Sequence, residues 1–324
     1  MKKLLLFVLI LNLDLSVNAQ ISDKVKVIVK NYPSRFTKPE KIASKINKDF
    51  KEEVDKVGAI YFWIANNIAY DVETLYSKKN KKGVYFTYRT KEELKRKEQK
   101  YNEKLVRSVL KKKVAICDGY SRIFKSLCDL TDIECVIISG SSKTVKGDIG
   151  IYPKVEDHAW NAVKINNEWK LIDSTWGAGY VNSELFIKEY DESYFFTDPE
   201  FFFYKHYPSD AKWLLISKTK EDFANLPLYY SEYLNSDFKI ESPQIGVIDS
   251  SEGDKVIFYL NSETSRKLTY AFNNDKYSTR IEIKKDKGKP YFEIPKGGRK
   301  RGYLTIYCNN KAIAVYKLKP LLKV

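Results

Sequence analysis

Apolar residues recur at helical spacing through the first third of the chain. In KIASKINKDFKEEVDKVGAIYFWIANNIAY, Ile42, Ile46, Phe50, Val54 and Val57 fall one helical turn apart, and a more apolar run spans Ile60 to Ile68. The spacing predicts helix over residues 20 to about 75. Residues 77–113 are Lys- and Glu-rich; the first part reads as an exposed loop and 91–110 as a solvated helix. From Val114 to Leu130 the pattern sharpens: Tyr120, Ile123, Phe124, Leu127, Cys128 and Leu130 form one apolar face.

The period then changes to two. A short apolar strand is expected over Glu134–Ser139, followed by a polar excursion that returns at His158. The segment 158–174 reads as a β-hairpin, with strands His158–Ile165 and Glu168–Ser174 joined at Asn166-Asn167. Asn tolerates the left-handed backbone of a two-residue turn. Aromatic residues crowd 183–217, including Phe195, Phe196, Phe201, Phe202 and Phe203, as packing that closes a first domain. From about residue 240, short alternating segments recur at 244–248, 255–260, 267–272, 279–283, 291–294, 303–308 and 312–318. That spacing is the signature of a small antiparallel sandwich of immunoglobulin-like type. The fold class is therefore α+β, with a catalytic-type domain over 20–235 and a β-sandwich over 236–324.

The chemistry collects on three residues. Cys117 stands at the start of the helix marked by Cys117-Asp118-Gly119, where free N–H groups and the helix dipole favour a thiolate. Asp118 opposes this electrostatically. With Ile165 opposite Glu168, Trp160 lies opposite Asp173, and His158 and Asp173 share one face as diagonal neighbours, about 7–8 Å apart at the backbone. A one-residue slip would separate them. Asp173 can then orient His158, and His158 can take the proton of Cys117. The other histidine, His206, has no carboxylate at a defensible sequence spacing and reads as structural.

AICDGYS, DHAWNAV and WKLIDSTWG, in that order, resemble the transglutaminase-like superfamily, and most closely bacterial relatives of its kyphoscoliosis peptidase branch. IYFWIANNIAYD at 60–71 and the FFFYKHYP…WLLI run at 201–216 add to the likeness, which covers roughly residues 40–220. The resemblance implies a papain-like core and a Cys117–His158–Asp173 triad acting on a peptide or glutamine carbonyl. It spans proteases, cross-linkers and inactive members. Members often assist the oxyanion with an upstream side chain; Trp63 stands in such a place, but a core position beneath the Cys117 helix is the favoured reading.

Composition narrows the partners. The net charge of +15 rests mainly on lysine, with nine Arg among 57 basic residues. Nucleic-acid readers depend on Arg forks, so no nucleic-acid partner is expected. A Lys-rich solvated face is the simplest account of the charge, although it would also suit an acidic envelope or polysaccharide surface. Met1-Lys2-Lys3, the apolar run Leu4–Leu13 and Val17-Asn18-Ala19 read as a cleavable signal peptide over 1–19, and no other stretch is apolar enough to span a bilayer. A secreted or periplasmic protein follows.

The four cysteines show no CxxC, and with one well-placed histidine no metal and no cofactor are expected. Cys117 and Cys128 stand too far apart on one helix for a disulfide, whereas Cys128 and Cys135 could pair across the helix-to-strand turn. The sequence thus points to an exported thiol enzyme, hydrolytic in preference to cross-linking, with a protein or peptide substrate. A non-catalytic envelope adaptor on the same fold is the alternative.

Overall fold

The computed structural model describes residues 20–77 and 84–321. The expected signal peptide, 1–19, lies outside them. Helices α1 (Asp23–Lys30), α2 (Pro39–Asp49), α3 (Glu53–Asn67), α4 (Val72–Tyr76), α5 (Lys91–Lys112) and α6 (Cys117–Asp129) make up the first part of the chain. The long helical pattern over 41–57 divides in two. Phe50 adopts extended backbone at φ −129° and ends α2, and its ring is buried at the break. Val54, in the first turn of α3, faces outward instead of continuing the stripe. α3 is buried on nearly every side from Val57 to Ala65, which marks it as the central helix of the domain. α5 is the solvated helix expected, burying only Val106, Val109 and Leu110.

The strands of this part are β1 (Ala69–Tyr70), β2 (Val114–Ala115), β3 (Cys135–Ser142), β4 (His158–Ile165), β5 (Glu168–Ile172), β6 (Gly179–Asn182), β7 (Leu185–Lys188), β8 (Phe195–Thr197) and β9 (His206–Pro208). Five of them form an antiparallel sheet in the order β8-β5-β4-β3-β9. α6 lies on this sheet, and its Tyr120, Ile123, Phe124, Leu127 and Cys128 join one core with α1, α2 and α3. The β4–β5 turn has both central residues left-handed, Asn166 at φ 50° and Asn167 at φ 67°, as a two-residue hairpin requires. Ile165 pairs with Glu168, the register expected from the sequence.

β5 stops at Ile172, two residues before the expected end. Asp173 Oδ1 accepts from the N–H groups of Thr175 at 2.9 Å and Trp176 at 3.1 Å, turning the chain out of the sheet into a tight helical turn at Trp176–Ala178. Phe195, Phe196, Phe202 and Phe203 are buried, closing the first part as expected.

Beyond residue 240, two antiparallel-rich sheets share one core. Phe258, Leu260, Phe292 and Ile294 of one face Leu304, Ile306 and Tyr316 of the other, with the Phe258 and Tyr316 rings 5.1 Å apart. Two expected strands are shortened: within 244–248 only the start of Val247–Asp249 is strand, after a separate strand at Ile240–Ser242, and within 279–283 only Thr279–Arg280 is strand, before a separate strand at Lys284–Asp286. Leu228–Tyr229 pair with Val315 and Ala314, so the connection between the two parts is itself hydrogen-bonded to the later sheet.

No described helix is long and apolar enough to cross a membrane. All four cysteines are free thiols, and Cys128, Cys135 and Cys308 are buried.

Candidate functional site

Cys117 is the first residue of α6. Its cap, Ile116, supplies no side-chain hydrogen bond; its carbonyl accepts from Gly119 N–H at 2.9 Å, so the N–H groups of Cys117 and Asp118 are the ones without a side-chain cap. Parallel pairing of Ala69 with Val114 and of Tyr70 with Ala115 fixes the approach to Cys117. One turn on, Tyr120 Oη donates to the Ile68 carbonyl at 2.7 Å, tying α6 to the end of α3. Gly119 is required by close packing: a Cβ there would stand 2.7 Å from Ala115 Cβ. Asp118, the charge expected to oppose a thiolate, pairs with Arg122 Nε at 2.7 Å, which compensates it locally.

β4 and β5 carry the other two residues to this helix start. His158 Nε2 and Asp173 Oδ2 lie 2.7 Å apart, and the Asp173 side chain is fully buried. Since Nε2 donates to the carboxylate, Nδ1 is the ring nitrogen left for the Cys117 thiol, which interacts with His158. His158 and Asp173 therefore meet as the hairpin register predicts, and the start of α6 sets Cys117 beside His158.

Burial alone would strip the proton from His158. The Asp173 charge, the hydrogen bond to it and the neighbouring Cys117 outweigh burial and lift the imidazole to about 10. Burial alone would likewise push the Asp173 carboxyl up, but the two histidines hold it well below the usual carboxylate range. The buried arrangement is an ionised carboxylate under an imidazolium.

Three participants carried no sequence expectation of this kind. Trp176 lies flat on His158, with ring centroids 4.8 Å apart and planes at 19°, and Lys205 Nζ stands 4.5 Å above the indole. Its place in DSTWG, three residues after Asp173, was the available signal. Asn161, in the DHAWN stretch, donates through Nδ2 to the Ser121 and Val136 carbonyls, both at 3.1 Å, clamping α6 to the sheet.

The third is His206, and here the expectation is corrected. Its Nε2 is 3.1 Å from Asp173 Oδ2, so a carboxylate does face it. The antiparallel pairing of Ser142 with His206 brings it there, a contact across 33 residues that no local spacing encodes.

His158, Asp173 and His206 offer three ligand-type atoms within 4.8 Å of one another. The donor types would suit a divalent transition metal, so the expectation of a single well-placed histidine does not hold. Their separations of 2.7 and 3.1 Å are nevertheless those of direct N–H···O⁻ hydrogen bonds. A polar recess of about 530 Å³ lies at the far, Asn166–Asn167 end of the hairpin and shares none of these residues.

Residues 40–174 match the model of the transglutaminase-like superfamily, a span that contains Cys117, His158 and Asp173. That span, which holds α6 and strands β3, β4 and β5 of the antiparallel sheet, is where the chain is similar to the superfamily. Within it, the mouse kyphoscoliosis peptidase is 29% identical over 221 residues, covering 67% of this chain and 30% of the relative. The human kyphoscoliosis peptidase is 28% identical over 223 residues, covering 67% and 31%. The chain thus spans about a third of the length of these relatives. A solved structure described as a TGase aligns over 48% of this chain and 36% of its own, at 18% identity and a TM-score of 0.30. That likeness is slight, and the fold rests on the strand order and core described above.

Proposed function

We propose that the protein is a thiol enzyme of acyl transfer, with Cys117 as nucleophile, His158 as general base and acid, and Asp173 as the residue that orients and charge-stabilises His158. The carrying observation is the buried His158–Asp173 pair held at 2.7 Å beside the thiol at the uncapped start of α6. The Cys117 sulfur attacks a carbonyl carbon of a protein or peptide substrate, and the Cys117 backbone N–H helps hold the developing oxyanion. As the C–N bond breaks, His158 gives its proton to the departing amine, leaving a thioester on Cys117. Water or a second amine then resolves the thioester, with His158 as base.

Hydrolysis is the favoured outcome. The printed name of the mouse and human relatives, a peptidase, supports it. The proposal extends to a signal peptide over 1–19 and export, and to a division into a catalytic domain at 20–235 and an immunoglobulin-like sandwich at 236–324.

Reduced casein mixed with a fluorescent primary amine tests the reading. Fragments or deamidated glutamine formed by the native protein and absent with Cys117→Ala support hydrolysis, and amine incorporation supports cross-linking. Neither product, at equal folding of the two proteins, favours an adaptor.

A further inference from the structure

His206 contributes nothing to the three-residue account, yet it is 1% exposed and aimed at the same oxygen as His158. Its ring is locked in place. Phe202 stacks on it at 3.9 Å and 19°, Trp176 lies 4.3 Å away, and Trp160 meets it edge-on at 5.0 Å. Both ring nitrogens face acceptors, Nε2 toward Asp173 Oδ2 at 3.1 Å and Nδ1 toward the Phe202 carbonyl at 3.2 Å.

A neutral imidazole has one N–H and can serve only one of them. The stronger claim is that of the ionised carboxylate, since hydrogen bonds to charged acceptors are about twice as strong as neutral ones. The Phe202 carbonyl also accepts from Lys205 N, so it is not left orphaned. A second proton on His206 would set two imidazolium rings 5.4 Å apart over a single carboxylate. Burial and the charge of His158 oppose that, holding His206 down to about 4 despite Asp173.

Asp173 does not need His206 for its orientation, because Oδ1 is already fixed by the backbone N–H groups of Thr175 and Trp176. What a second donor on Oδ2 changes is how much negative charge remains for His158. We infer that His206 is a positioning residue of the proposed site, donating Nε2–H to Asp173 Oδ2 so that the carboxylate divides its charge between two imidazoles and His158 can release its proton. The inference rests on the thiol-enzyme reading for its purpose, since a base that never gives up its proton cannot serve the departing amine. The groups that face the pair include Cys117 from α6, Tyr194 across the His206 ring at 6.4 Å and Lys205 over Trp176, with Tyr61, Tyr70 and Tyr120 toward Asp173.

The chain holds two histidines, so a histidine-labelled protein made without a histidine tag gives two imidazole spectra, assigned by substitution. Nitrogen-15 NMR at pH 7 should show His206 protonated at Nε2. A proton on Nδ1 alone, donated to Phe202, overturns the inference in the native protein without any variant. His206→Phe keeps the ring and removes the donor; the titration midpoint of His158 should then rise by about one pH unit. His206→Gln, which restores an amide N–H near the Nε2 position, should bring it back to within a few tenths. An unchanged or lowered His158 midpoint in folded His206→Phe overturns the inference. Failure of the thiol reading looks different: Cys117 would alkylate as an ordinary thiol while the Nε2 proton of His206 stayed in place.

Discussion

The indole of Trp176 lies on the imidazole of His158 at 4.8 Å, nearly parallel, and so roofs the hydrogen bond between His158 and Asp173. A roof of this kind excludes water from a charged pair, and the pair is stronger for it. Trp176→Ala should admit water, lower the His158 midpoint and reduce Cys117 alkylation below pH 7. The lost packing should cost about 3 kcal/mol of stability, read by urea unfolding. Retention of the native alkylation profile would show that the roof has no electrostatic effect.

Asp173→Asn keeps an acceptor for the Thr175 and Trp176 N–H groups but removes the charge and presents N–H where Oδ2 meets two ring nitrogens. His158 should lose most of its elevated affinity for a proton. Alkylation of Cys117 at pH 6.5 should then fall by about two orders of magnitude. Stability should fall by about 3 kcal/mol, since a buried pair is broken from one side.

Gly177 sets how close the Asp173 turn approaches α3. A Cβ at 177 would stand 1.9 Å from Tyr61 Oη, the hydroxyl that donates to the Asp191 carbonyl at 2.5 Å. Tyr61 is fully buried and cannot swing away. Gly177→Ala should therefore destabilise by about 1–3 kcal/mol and loosen Trp176. A thermal midpoint equal to that of the native protein would contradict this packing.

The two histidines have opposite pH signatures. His158, raised from 6.5 to about 10, contributes stability that is complete below pH 6.5 and lost as pH rises toward 10. His206, lowered from 6.5 to about 4, contributes stability that is complete above pH 6.5 and lost as pH falls toward 4. The difference in unfolding free energy between native protein and His206→Gln should thus shrink from pH 6.5 to 4 and stay flat from 7 to 8. A constant difference across the acid range would contradict a neutral, buried His206.

The catalytic-type geometry was legible because it is local. The Asn166-Asn167 turn fixes the pairing of β4 with β5, and pairing fixes which side chains share a face, so His158 and Asp173 followed from counting residues. The start of α6 followed from an apolar stripe and a glycine. His206 was not legible, because its place depends on β9 pairing with β3 across a long connection of aromatic residues. The early end of β5 depends on the Asp173 carboxylate capping its own turn, which competes with strand continuation and leaves no mark in periodicity. The break at Phe50 was hidden for a similar reason: a buried aromatic satisfies a helical stripe whether or not its backbone is helical.

The most direct test is the rate of iodoacetamide alkylation of Cys117 against pH, in the native protein and in His158→Ala. The account predicts alkylation that is much faster in the native protein than in the variant at pH 6.5. An ordinary thiol profile, unchanged by the substitution, would contradict it.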